Sequence, residues 1–479
     1  MKDFIQQYTR NVPFGQLILF IAYGALVALL LFTIPVKFTL LMLAGIVVFA
    51  VIAKWPEAGL LIIVVLTSSI VYEENLPLIP IGIGSLHIPD ILLLFMFSLV
   101  IIKKLSSNNN IALKSPPEKA LALFLLLTIL IVIASVKFFG IDFHTVLRLF
   151  RSISYYLIFY IITNLIVTKK QIRFLVTGLF ITAAVVAVVM LIQTTVGESI
   201  PLIPESRIDY EGNALRLRPP GQTLLFVSLV QAICFSVILA DKPLLLSRYF
   251  YFVIIICTGV MLTFTRSYLV AFIFIIGFFF FLAKPYYKKR LVTLTVWCAT
   301  LSLLLFMVLG GGSKVEDTFN AISQRYLTLF TGKELLQSST ISDRNLENFY
   351  AFEQIKKNPI FGNGLGNDYR PTLYGSEDEL MHYVHNVYLW LIKDFGILGF
   401  AFFMWFYISF LIRALKNFNK PEDDFLKSVA TGSMLAGIGM LPMAFVIPLF
   451  MEWHSIVVIA TFIGLSETII INTKHQVHN

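Results

Sequence analysis

Apolar residues along this chain fall in blocks of about 17–25, the length an α-helix needs to cross the hydrocarbon core of a bilayer. Short clusters of charge, proline and glycine separate the blocks. Read between those breaks, spans are expected near 14–32, 36–53, 58–71, 88–102, 119–136, 150–167, 172–192, 221–240, 248–264, 267–283, 291–309, 394–413, 429–450 and 454–471. These windows, of which 58–71 is the shortest, predict about 12–14 spans and an all-α fold, a polytopic transmembrane helix bundle. The block Phe14 to Phe32 has no small-residue cleavage site and is closely followed by another span, so it reads as the first helix rather than a signal peptide. The long segment from Gly310 to about His385 departs from the pattern. Within it, Ser342 to Lys357 sets Leu346, Phe349, Tyr350 and Ile355 among charges at helical spacing, opened by Ser342 or Asp343 and closed by Asn358-Pro359. An amphipathic helix lying on the membrane face is expected there. The chain thus divides into N-terminal spans (1–192), central spans with outer arginine motifs (193–309), a large extracytoplasmic loop (310–393) and C-terminal spans (394–479).

Composition agrees: 58% of residues are hydrophobic, only 14% are charged, and the mean hydropathy is +0.83, which excludes a water-soluble fold. The net charge of +9 suggests no nucleic-acid partner, because membrane topology accounts for much of it. With the amino terminus in the cytoplasm, more than half of the lysines and arginines fall on the inner side, among them Lys103, Lys104, Lys169, Lys170, Lys284, Lys288, Lys289 and Arg290. Both termini are then cytoplasmic and the large loop external. Cys234, Cys257 and Cys298 all lie in apolar spans and imply neither disulfide nor zinc.

The chemistry concentrates between Asn358 and Phe400: N-P-I-F-G-N-G-L-G at 358–366, H-N-x-Y-L at 385–389 and F-G-I-L-G-F at 395–400. The glycine cluster lacks the Gly-Lys-Ser/Thr ending of a nucleotide-binding loop and does not follow a strand. A turn closing the helix, or backbone N–H groups offered to a diphosphate, both remain open. His385 stands at the expected membrane boundary, where neutral imidazole accepts a proton from a hydroxyl. His382 is the nearby alternative. Upstream, Thr265-Arg266-Ser267 breaks an otherwise nearly continuous apolar run from Tyr249 to Leu282, and R-L-R-P-P-G occupies 216–221. His144, Arg148 and Arg151 share one helix face and either extend a basic cavity or anchor that helix.

In order and spacing these four motifs resemble the O-antigen ligase and O-antigen polymerase superfamily over about residues 200–400. The resemblance implies a bacterial cytoplasmic (inner) membrane enzyme. Its expected partners are an undecaprenyl-diphosphate-linked glycan donor, a lipid-core or glycan acceptor, and membrane lipids. It implies an inverting attack by an acceptor hydroxyl on the anomeric carbon, with His385 as catalytic base. Arg218, Arg266, Arg216, Arg344 and Asn386 are then the diphosphate- or substrate-binding residues, Arg207 being a weaker companion. Guanidinium forks suit that task because they bind phosphate oxygens bidentately at any pH.

No carboxylate cluster suggests a metal: Asp90 and Asp343 read as isolated, and Glu377, Asp378 and Glu379 as a solvated acidic turn. No cofactor is expected. A lipid-linked oligosaccharide flippase or other secondary transporter is the alternative, with a similar number of spans and cavity arginines, but it needs no long outer loop with its own helix. The peptidoglycan-polymerising shape, elongation and division family relies on an outer-loop aspartate with no good local match here. Ligase and polymerase share the donor and differ in acceptor, so these residues do not separate them.

Overall fold

The computed structural model describes residues 36–80, 85–106, 113, 115–197, 200, 202–204, 207–211, 214–239, 243–309, 321, 323–324, 327, 339–371 and 380–477. The expected span at 14–32 and the acidic turn at Glu377–Glu379 lie outside them. Residues 1–56 and 57–479 form two compact units. The first contributes α1 (Val36–Lys54), and α2 (Pro56–Thr67) begins at the boundary.

In the second unit a short hairpin of β1 (Leu78–Pro80) and β2 (Ser85–His87) leads into α3 (Ile88–Ser106). Then come α4 (Pro116–Lys137), α5 (Phe143–Ser154), α6 (Leu157–Leu165) and α7 (Lys169–Val196). A second hairpin pairs β3 (Ile208–Glu211) with β4 (Ala214–Leu217), setting Asp209 opposite Arg216. The chain continues through α8 (Gln222–Ile238), α9 (Arg248–Leu262), α10 (Arg266–Leu282) and α11 (Pro285–Leu309). Finally α12 (Ser339–Lys357) precedes α13 (Val387–Asn417), α14 (Asp424–Met443) and α15 (Trp453–Val477).

The fold is an all-α polytopic bundle. Among the described residues, Pro116–Lys137, Phe143–Leu165, Lys169–Val196, Val387–Asn417 and Trp453–Thr473 are long and apolar enough to cross a membrane, and α8, α9 and α10 are shorter apolar helices. Helix starts follow side-chain chemistry. Ser115 with Glu118 and Thr168 with Gln171 form capping boxes that satisfy the first backbone donors of α4 and α7. Caps also move two expected boundaries. Asp142 accepts from Thr145 N, so the span expected at 150–167 begins at Phe143, and Asn386 accepts from Tyr388 N and Leu389 N, so that expected at 394–413 begins at Val387. The span expected at 429–450 closes at Met443, one residue after the in-helix Pro442.

Interior polar side chains tie spans together, since lipid leaves them no water to bond. Gln231 Nε2 of α8 donates to Ser433 Oγ of α14 (2.9 Å), and Tyr407 OH donates to Gly437 O (2.7 Å).

Helix succession defines two ends. At one, Lys103 Nζ donates to Asn164 O (2.6 Å), Lys169 pairs with Asp423, Arg413 pairs with Glu467 (2.5 Å), and Arg290 Nε donates to Ser236 O (2.7 Å). At the other, Gly221 N donates to Ser69 O (2.9 Å), Ser68 Oγ to His454 O (2.6 Å), Leu365 N to Ser135 Oγ (2.8 Å), and Val387 N to Ala444 O (2.9 Å). The motif residues all gather at this second end.

Candidate active site

The site is assembled on a broken helix. At Gly396 (φ +68°) α13 leaves helical geometry, and the glycine turn fits into the gap. Ile397 N donates to Pro359 O (2.8 Å) and Leu398 N to Ile360 O (3.2 Å), which supplies partners that the interrupted helix cannot. In return Asn363 N donates to Lys393 O (2.8 Å) and Gly364 N to Asp394 O (3.2 Å). Gly362, Gly364 and Gly366 all have left-handed φ, and a Cβ on Gly362 would stand 2.4 Å from Asp394 O.

The N–H groups of residues 362 to 365 are engaged within the protein: on Asn358 O, Lys393 O, Asp394 O and Ser135 Oγ. The turn therefore works as a clasp, and these four N–H groups are spent on the protein itself rather than offered to a diphosphate. Lys393 and Asp394 pair at 2.5 Å with both side chains fully buried, and Trp390 Nε1 also donates to Asp394 (2.8 Å).

The clasp delivers α12 alongside the start of α13. The buried face of α12 carries Glu347, Ala351 and Gln354, while Leu346, Phe349 and Phe352 are exposed. Glu347 meets His385: both carboxylate oxygens face Nδ1, at 2.8 and 3.1 Å. Arg344 Nη1 stands 3.4 Å from one Glu347 oxygen and Arg370 Nη2 3.9 Å from the other. The Tyr383 ring packs edge-on to His385 (4.7 Å), and its hydroxyl donates to Glu452 Oε1 (2.8 Å). Burial pushes the Tyr383 phenol well above its usual range, and the neighbouring Glu452 adds to the shift. Burial likewise raises the Glu452 carboxyl, against the pull of Tyr383 and of Arg207.

The two histidines occupy different surroundings. They precede α13 rather than sharing a helix face. His382 is buried, 3.8 Å from Asp368, and burial together with Lys393, Arg148 and Arg370 lowers its pKa to about 4. His385 keeps 28% of its side chain exposed above a carboxylate that keeps 5%.

On the β3–β4 hairpin Arg218 pairs with Asp209, and Arg216 donates from Nε to Thr263 O (3.1 Å). That carbonyl lies at the corner that opens α10 with Arg266. The corner turns through Phe264, a buried residue at φ +51° packed with Ala214 and Ala321. Arg216 and the Arg266 corner are therefore one assembly, Arg344 belongs to the His385 cluster, and Asn386 Oδ1 caps α13.

Two expectations change. Asp90 is not isolated: it accepts from Arg151 Nε (3.1 Å), Tyr155 OH (2.6 Å) and His87 N (2.7 Å). Arg151 also binds Glu73 (2.6 Å) and lies over Trp453, which makes it a helix anchor, whereas His144 and Arg148 are exposed. Sequence reasoning missed Glu347 and Arg370. The signal for Glu347 was its place with Ala351 and Gln354 on one helix stripe.

These features define a membrane protein with a polar cluster at one end of the bundle, built on a buried Glu347 and a partly exposed His385. Residues 251–404 match the family model described as O-antigen ligase, which supports the placement in the O-antigen ligase and polymerase superfamily. The match takes in Arg266, Arg344, His385 and Asn386 and begins after Arg216 and Arg218. No curated protein matches the chain.

Proposed function

We propose that this protein transfers or polymerises an undecaprenyl-diphosphate-linked glycan onto an acceptor hydroxyl at the outer face of the bacterial cytoplasmic membrane. The observation that carries this reading is the contact of a partly exposed His385 with a buried Glu347. An ionised carboxylate only accepts hydrogen bonds, so Nδ1 carries a hydrogen, and in the neutral ring that acts as base Nε2 keeps its lone pair. In the reaction the acceptor O–H proton passes to His385 Nε2 while the acceptor oxygen forms a bond to the anomeric carbon. The bond from that carbon to the diphosphate oxygen breaks, its electron pair leaves with undecaprenyl diphosphate, and attack from the opposite face inverts the centre. Arg266, Arg218 and Arg216 stabilise the departing charge, and no metal is needed for that step.

The test is glycan transfer in liposomes from a polyprenyl-diphosphate-linked glycan extracted from the producing cells, with EDTA present. His385→Ala is expected to insert normally and to lose activity by a factor on the order of 10²–10⁴. Transfer at the wild-type rate in that variant would remove the base, and abolition by EDTA of wild-type activity would show that the leaving-group chemistry needs a divalent ion.

A further inference from the structure

We propose that Glu347 is a positioning residue for the transfer, fixing the tautomer of His385 and raising its basicity from a helix that lies elsewhere in the chain. This role rests on the reading of His385 as the base. Glu347 and His385 are 38 residues apart in sequence, on opposite sides of the glycine clasp. The hydrogen-bond pattern is that of a general base held by a carboxylate: one ring nitrogen donates to the acid, and the other faces the reactant.

The surroundings of the pair hold that arrangement. Glu347 is buried on α12, and Arg344 and Arg370 stand at its two oxygens, opposite charges that favour a carboxylate there over a carboxylic acid. Tyr383 meets the His385 ring edge-on and is itself tethered to Glu452, so the imidazole plane is fixed as well as its tautomer. Among the described residues, the charged and titratable groups around His385 are Glu347 and Arg344 from α12, Arg370 from the loop, Tyr383 from its own segment, and Glu452 behind Tyr383. Removing the Glu347 charge withdraws a stabiliser of imidazolium in contact with the ring and weakens the local balance against two nearby guanidinium groups. Both effects lower the basicity of His385.

The experiment follows the pH dependence of acylation of His385 by diethyl pyrocarbonate, which attacks neutral imidazole, on the full chain in liposomes with His385 resolved by peptide mass. In Glu347→Gln the midpoint should fall by about 1 pH unit. Glu347→Asp keeps the charge but draws it back by one methylene, so its midpoint should fall by less, and it provides the test if the glutamine variant does not fold. The His382 midpoint should stay in place in both. In the transfer assay, Glu347→Gln should lower kcat by about 10–100-fold with KM little changed, as for other groups that orient an imidazole from behind. An unmoved His385 midpoint in a folded variant overturns the role of Glu347 while leaving His385 as base, if His385→Ala is inactive. Undiminished transfer in His385→Ala overturns both.

Discussion

An imidazole that takes a proton from a hydroxyl needs one nitrogen tied and the other open; of the two histidines ahead of α13, His385 has Nδ1 on Glu347 and a partly exposed ring, which is why it is the one proposed as base. His382 is buried beside cations, and its charge is the cost of protonating it. Its folded value of about 4 lies below the ordinary 6.5, so the unfolded form binds the extra proton between these values. The loop is therefore most stable above about pH 6.5 and loses that stability as pH falls toward 4. Hydrogen exchange over residues 380–386 should speed up across this window in wild type and do so less in His382→Gln. Equal acceleration in both would discard the explanation. A second residue-scale prediction concerns Arg266. Arg266→Lys keeps the charge but not the two-pronged geometry, so transfer should fall about tenfold or more, roughly 1.4 kcal/mol of transition-state stabilisation. Normal turnover at matched protein levels would return Arg266 to an interfacial anchor. At this scale the sequence marked His385 because imidazole is scarce and sits at a boundary. It did not mark Glu347: the stripe shared with Ala351 and Gln354 was there to read, but a carboxylate in an amphipathic helix is ordinarily solvated, and only the returning chain buries this one.

The elements divide similarly. Most helices were legible, since long apolar runs have few alternatives in lipid, although among the described residues only five of them are long and apolar enough to cross a membrane. The break at Gly396, the two hairpins and the early starts of α5 and α13 were not, because each depends on a partner that hydropathy does not encode. The helix expected over Ser342–Lys357 is present but begins at Ser339, and it buries Glu347 and Gln354 while exposing Leu346, Phe349 and Phe352. Its boundary at Asn358-Pro359 was legible from proline chemistry. The clasp carries its own prediction. At Gly396 a Cβ would stand 2.1 Å from Ile360 O in a left-handed conformation, so Gly396→Ala should destabilise the protein by about 1–3 kcal/mol and displace α12 from His385. Gly277, with open space at its Cβ, should tolerate alanine and supplies the control. Thermal unfolding and transfer rates of the two variants decide the matter, and equal behaviour would mean that the turn yields without consequence.

For the whole molecule, the distribution of charge predicts which end meets which compartment. Lysines and arginines such as Lys169, Arg290 and Arg413 collect at the end away from His385, so that end should be cytoplasmic. A cysteine in place of Asn345 should react with an impermeant thiol reagent on intact cells, and one in place of Lys289 only after permeabilisation. The reverse pattern would deny an external glycan access to His385. The clasp also bears on how such a protein can be recombined. The glycine turn is stitched to Ser135 and would collide through a Cβ on Gly366 with Thr145, residues more than two hundred positions earlier in the chain. Exchanging the loop between two relatives by cutting at its ends would therefore separate a lock from its keyhole. The smallest transplantable module is discontinuous: the α4–α5 corner, the segment from α12 through the turn, and α13 as far as its break, inherited together.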